Sequence, residues 1–199
     1  MKNFTITFSH VNISINLYWL IFFLVIFLWV GMEAWLTLRK RKTTGRDKSL
    51  WLIWTLNLTA ILIGNIMRTW SFAHIPLSSD LLAILGTIII LIGLLFRIWA
   101  IHTLGKFFEP VVVIKKDQPI IKTGPYKYIR HPAYAGGYLS FIGCGVALGN
   151  WIGLILIMIL VFIGFYQRIK LEEKILLQGF GEEYQTYIKS TKKLIPFIY

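Results

Sequence analysis

Two short stretches of this 199-residue sequence carry most of its chemically useful side chains. The first lies between Thr123 and Gly137. Gly124-Pro125 is a turn signal, and Pro132 suits the first position of a helix while biasing the backbone of His131 away from helical values. This spacing predicts a helix N-terminus flanked by Arg130 and His131. Free N–H groups and the positive dipole end at such a terminus favour an anion. A basic cap that only anchors the following helix fits the same residues equally well. The second stretch is Arg168-x-x-x-Glu172-Glu173. On a helix, Arg168 and Glu172 share a face. An ordinary solvated pair is the simplest reading, although Arg before Glu is the less favourable order, which leaves room for each to have another partner. No Gly-x-Gly-x-x-Gly or phosphate loop is present, and His10, His74, His102 and His131 lack metal-ligand spacing. The single cysteine, Cys144, excludes an intramolecular disulfide and a multi-cysteine metal site.

The elements that position these residues are apolar. Hydrophobic residues make up 56% of the chain and charged residues 15%, against about 25% charged in an ordinary soluble domain, and mean hydropathy is +0.66. A spanning helix needs about 20 mostly apolar residues. Five stretches come close: Leu17 to Leu38, Leu50 to Met67, Leu81 to Ile101, Tyr134 to Gly149 and Trp151 to Tyr166, the last two joined at Gly149-Asn150. The expected fold is an all-α integral-membrane bundle of about five helices, one membrane domain over residues 1–199. The first span is too long for a signal peptide and is followed by basic residues.

The net charge of +12 has two readings, nucleic acid or membrane orientation. The Arg39–Lys48 loop, the segment between the third and fourth spans, and the tail after the fifth each hold six Lys or Arg, so 18 of 21 fall on one side. The positive-inside rule then places the N-terminus outside and the C-terminus in the cytoplasm, and the nucleic-acid reading falls. Tyr18, Trp19, Trp70 and Trp151 fit an outer aromatic belt, and Trp51, Trp54 and Trp99 an inner one.

Polar residues within spans are functional candidates. Arg97 is about one turn from a span end and is placed to snorkel. Glu33 reaches the interface or pairs with a basic neighbour, and Asn57 and Asn65 suit hydrogen bonds between helices. Gly136, Gly137, Gly143, Gly145 and Gly149 let helices approach closely, with Gly145 and Gly149 at small-xxx-small spacing. Phe4, Ile6 and Phe8 alternate with polar residues, as in a short extended segment. The tail beyond Leu171 reads as an amphipathic lid on the cytoplasmic face.

The ordered set Gly124-Pro125-Tyr126, Arg130-His131-Pro132-Ala133-Tyr134-Ala135-Gly136, Leu148-Gly149-Asn150, Arg168-x-x-x-Glu172-Glu173, Phe180-Gly181-Glu182-Glu183-Tyr184 and Leu194-Ile195-Pro196-Phe197 resembles the isoprenylcysteine carboxyl methyltransferase family. The resemblance covers roughly residues 97–199 and leaves 1–96 as variable N-terminal spans. It implies an integral-membrane enzyme that uses S-adenosylmethionine to methylate the carboxylate of a prenylated cysteine or a related lipid-linked acid. By motif, Tyr126, His131, Pro132, Ala133, Tyr134 and Glu172 would bind the cofactor, and Arg168 would hold the acceptor carboxylate. Gln118, Pro119, Ile120 and Ile121 occupy a further cofactor-contacting stretch by spacing. Where family members carry a polar contact just before it, this sequence has Val111-Val112-Val113.

Physical chemistry is compatible with that implication. A sulfonium is an activated methyl donor, and a C-terminal carboxylate of pKa about 3.5 is already ionised, so neither needs a general base. An arginine fork suits a carboxylate better than lysine does. A lipid-linked acid calls for an interfacial site open sideways to the bilayer. Two other classes remain: N-methylation of an amine-headed phospholipid, and a reductase or non-catalytic protein on the same scaffold.

Overall fold

The computed structural model describes residues 3–8, 11–40, 48–67, 69, 71–110, 113–114 and 117–194. Arg41, Lys42, Arg46, Arg68, Trp70, Val111, Val112, Lys115, Lys116 and residues 195–199 lie outside them. Five apolar helices form the body: α1 (Leu17–Lys40), α2 (Lys48–Met67), α3 (Ser79–Leu104), α4 (Pro132–Leu148) and α5 (Trp151–Phe180). Among the described residues, three stretches are long and apolar enough to cross a membrane, Leu17–Leu38, Ser79–Phe107 and Trp151–Phe180, and Trp54–Met67 within α2 and Pro132–Leu148 are shorter apolar stretches. The protein is an integral-membrane helical bundle. The extended N-terminal segment is an antiparallel pair, β1 (Asn3–Phe8) and β2 (Val11–Asn16), whose backbone register pairs Phe4 with Ile15 and Ile6 with Ile13.

Glycine governs the closest packing. A side chain at Gly86 would strike the backbone of Gly143, and one at Gly93 would strike that of Gly136, so α3 and α4 touch almost backbone to backbone. The expected Gly145/Gly149 pair does not form this contact: Gly145 faces Leu154 of α5. Gly149 instead takes a left-handed conformation, φ 71°, that closes α4. The turn after it is tight, as its sequence predicts. Asn150 caps α5 by accepting from the Gly153 N–H at 3.0 Å, and its Nδ2 donates to the Met67 carbonyl at 2.7 Å. This end of the bundle, the turn end, is thereby tied to α2.

The opposite end carries the clustered basic residues. Here α5 runs on past the expected span, because nothing between Gln167 and Gln178 interrupts helical geometry, and it stops where Gly181 adopts φ 53°. The extension carries Arg168, Glu172 and Glu173. Beyond it, α6 (Glu182–Ser190) buries Tyr184 and Tyr187, so the tail folds back over this basic end as a lid.

Candidate active site

Pro132 begins α4 and His131 sits at its N-cap with non-helical backbone, φ −123° and ψ 54°, as the proline requires. Tyr134, in the first turn, points at the α5 extension. Its Oη donates to Glu172 Oε2 at 2.8 Å and accepts from Arg168 Nε at 3.4 Å. Arg168 and Glu172, one turn apart on α5, are thus bridged by a hydroxyl from another helix. Arg168 is 2% exposed and its Nη2 also donates to the Pro110 carbonyl. An arginine that deep requires partners for its donors.

Next door, the Glu173 carboxylate gathers three basic groups. Its Oε1 accepts from Arg130 Nε at 2.9 Å and lies 3.3 Å from His131 Nε2, while Oε2 lies 3.2 Å from Lys193 Nζ. Arg130 Nη1 donates to the Thr191 carbonyl at 2.6 Å, and the Arg130 and His131 N–H groups donate to the carbonyls of Lys192 and Lys193. Tyr187 Oη donates to the Tyr126 carbonyl at 2.7 Å. One carboxylate therefore joins the α4 turn, the α5 extension and the tail. Burial pushes the phenols of Tyr126, Tyr184 and Tyr187 well up, so all three are neutral hydroxyls at physiological pH.

Arg97 does not snorkel. Its Nη2 and Nε both donate to the Glu33 carboxylate, the former at 2.8 Å, and its Nη1 donates to the Ala133 carbonyl at 2.7 Å. The bidentate pair and the Ala133 carbonyl engage its donors inside the bundle, and they fasten α1 to the start of α4. Asn65 donates to Ile61 within its own helix, and Asn57 Oδ1 has no hydrogen-bond partner, so the interhelical role expected for these two is not seen.

A cavity of about 540 Å³ joins these groups, within the range of small-molecule sites. Of the residues expected to act, Gln118, Pro119, Ile120, Ile121, Tyr126, His131, Ala133, Tyr134, Arg168 and Glu172 line it; Pro132 is buried but off the wall. Val113 lines it as well. Arg130, expected beside the helix terminus, lines the wall too, as do Arg97 and Glu33, expected to snorkel or pair near the interface, and Tyr184, which sequence reasoning missed as a wall residue. Glu33 and Arg97 are 64 positions apart, and only their shared oddity inside apolar runs could have matched them. Tyr184 Oη is buried without a hydrogen-bond partner on this wall. A neutral hydroxyl there, with the Glu172 carboxylate nearby, fits a polar cofactor that carries both donors and a positive charge.

From the basic end the cavity continues between α1 and α2 to Trp19, Asn65 and Leu148, near the turn end. Helix α1 packs on α3 and α2 packs on α5, and the two share at most marginal contact. Phe23 on α1 (56% exposed) and Leu58 on α2 (60% exposed) line the cavity yet face outward. The cavity is therefore open sideways where a bilayer would lie.

The profile of the isoprenylcysteine carboxyl methyltransferase (ICMT) family matches residues 84–178. The protein-S-isoprenylcysteine O-methyltransferase of Saccharomyces cerevisiae is 36% identical over 124 residues, 61% of this chain and 52% of that protein. A probable protein-S-isoprenylcysteine O-methyltransferase of Oryza sativa subsp. indica is 33% identical over 141 residues, 70% of this chain and 69% of that one. The solved structure of the eukaryotic intramembrane Ras methyltransferase ICMT superposes with a TM-score of 0.58 at 26% identity, over 78% of this chain and 55% of that one. The chain spans about half the length of the yeast relatives it matches. Its helical architecture, and its match across more than two thirds of the rice relative, establish that it belongs to the isoprenylcysteine carboxyl methyltransferase family.

Proposed function

We propose that this protein is an S-adenosylmethionine-dependent carboxyl O-methyltransferase acting on a prenylated cysteine or a related lipid-linked acid. In this reading the basic end is cytoplasmic and the N-terminus lies outside. The observation that carries the proposal is the continuity of one cavity, from the Arg168–Tyr134–Glu172 cluster to an apolar groove open between α1 and α2. Along α1, the fourteen helical steps from Glu33 to Trp19 span about 21 Å, long enough for an extended lipid chain. A water-soluble acid would need no such groove.

The cofactor, when bound, supplies a methyl group already activated by its sulfonium. The protein then has to bind, align and exclude water, and alignment alone can lower a barrier by several kcal/mol. Tyr126, the His131–Tyr134 turn, Gln118–Ile121 and Glu172 form the cofactor's half of the cavity, with the Glu172 carboxylate matched to the positive charge. Pro132 acts from behind by setting the backbone of His131. Arg168 takes the acceptor carboxylate in its fork, which orients one oxygen and makes a general base unnecessary, since the acid is ionised at neutral pH. Tyr134, bonded to Arg168 and Glu172, keeps the acceptor and donor halves in register. An amine-headed lipid fits less well, because an arginine at the acceptor position repels an ammonium. A reductase would require a nicotinamide nucleotide.

Transfer of labelled methyl from S-adenosylmethionine to S-farnesylcysteine, by the purified protein in lipid nanodiscs, tests the reading. Transfer that disappears in Arg168→Ala supports it. Transfer to a lipid amine but to no prenyl acid, or thermal stabilisation by a nicotinamide nucleotide and not by S-adenosylmethionine, refutes it.

A further inference from the structure

Among the described residues, two polar atoms in the apolar part of the cavity wall lack partners. Trp29 Nε1 on α1 and Asn57 Oδ1 on α2 are buried with no hydrogen bond, in side chains 6% and 8% exposed. An indole N–H can only donate and an amide oxygen can only accept. Leaving both unpaired is costly, and the hydrocarbon of a bilayer supplies no water to answer them. Whatever fills the groove is the available partner.

The two residues lie at similar depth on different walls. The Trp29 ring packs 4.9 Å from that of Phe141, which in turn is 6.4 Å from Phe165, three residues before Arg168. On the other wall, a side chain at Gly64 would meet Ile157 and one at Gly153 would meet Gly64, which fixes the antiparallel register of α2 on α5. Asn57, seven residues earlier on α2, comes level with the turn of α5 around Val161 to Phe165. At about 1.5 Å per residue both positions fall roughly 5–10 Å from Arg168 along the bundle axis. A hydroxyl can answer either atom, since it can accept from the indole and donate to the amide oxygen. A plain hydrocarbon answers neither.

We propose that Trp29 and Asn57 form a hydroxyl-recognising subsite within the lipid groove. The preferred acceptor is then a lipid-linked acid whose chain carries an alcohol roughly 5–10 Å from the carboxylate. This rests on the carboxyl methyltransferase reading and narrows its substrate class.

The test compares S-farnesylcysteine with analogues bearing one hydroxyl, or one ketone, on the first or second isoprene unit. Direct binding to the protein in nanodiscs is measured alongside methyl transfer. One alcohol is expected to bind about tenfold tighter than the plain chain, the scale of one buried hydrogen-bonded contact. The ketone, which cannot donate, falls between them. The advantage of the alcohol shrinks in both Asn57→Leu and Trp29→Phe. Equal binding of alcohol and plain chain by the unmodified protein overturns the subsite even if both variants misfold. So does a ketone as tight as the alcohol, or an advantage that survives both substitutions. If the plain chain is methylated and the alcohol gains nothing, the subsite fails and the methyltransferase reading stands. If the alcohol binds preferentially and neither acid is methylated, the subsite stands and that reading fails.

Discussion

Glu173 is the joint whose removal separates the site from its supports. Glu173→Gln keeps the size of the side chain and discharges it. The carboxylate is largely buried and holds Arg130 Nε at 2.9 Å, His131 Nε2 at 3.3 Å and Lys193 Nζ at 3.2 Å. Breaking one buried pair by neutralising a partner costs about 3–5 kcal/mol. Arg130 keeps its bonds to the Thr191 and Ile188 carbonyls, and Lys193 can turn toward water, so the expected loss is nearer 2–3 kcal/mol on that scale. The released turn immediately precedes Tyr134, and displacement by about an ångström can cost up to a hundredfold in rate. Equilibrium unfolding of purified protein in mild detergent reads the stability loss. Steady-state kinetics read a KM for S-adenosylmethionine raised at least about tenfold, with a smaller change in kcat. Refutation is simple to recognise: a Glu173→Gln protein within about 0.5 kcal/mol of the original, with unchanged KM, would mean the tail and the α4 turn are held by backbone bonds alone.

Other substitutions probe neighbouring parts of the account. Tyr134→Phe removes the hydroxyl between Arg168 and Glu172 and is expected to lower kcat/KM by about tenfold to a hundredfold, the worth of hydrogen bonds to charged groups. Gly93→Ala forces a methyl onto the Gly136 carbonyl and the Ser140 amide; detergent unfolding should show at least about 1–3 kcal/mol of destabilisation, and no loss would contradict the α3–α4 packing. Arg97→Lys cannot reproduce the fork on Glu33, so tethering of α1 weakens, which accelerated proteolysis of the α1–α2 connection would report. Burial raises the pKa of Tyr126, Tyr184 and Tyr187 in the folded state. Their contribution is therefore complete below about pH 10, where unfolded tyrosine titrates, and is lost as pH rises toward the folded values. Unfolding followed from pH 8 to 11 should show stability falling only above about pH 10, less steeply in Tyr187→Phe.

Local chemistry was legible in the sequence wherever a residue acts on its own backbone. Pro132 marks the start of α4, and Gly149-Asn150 marks the turn between two helices, because φ preferences and caps are local. The position of Arg168 and Glu172 on one face followed from helical spacing. Contacts across the bundle were not legible. Glu33 finds Arg97 and Arg130 finds Glu173 only after the helices pack, and no spacing rule reaches across 64 or 43 positions. The glycines of α4 announced close packing without saying that Gly136 and Gly143 meet the α3 backbone while Gly145 faces α5. Asn57 was misread for the same reason: its neighbours come from other helices, and the groove they leave is a property of the whole bundle.

The central claim is that this cavity brings a lipid-held carboxylate to a methyl donor. Its most direct test is the chemical nature of the product formed from S-farnesylcysteine and methyl-labelled S-adenosylmethionine. A carboxyl methyl ester releases its label as methanol on mild alkaline treatment, and the account predicts label of that kind, dependent on Arg168. Alkali-stable label on an amine, or no label on any prenylated acid, would contradict it.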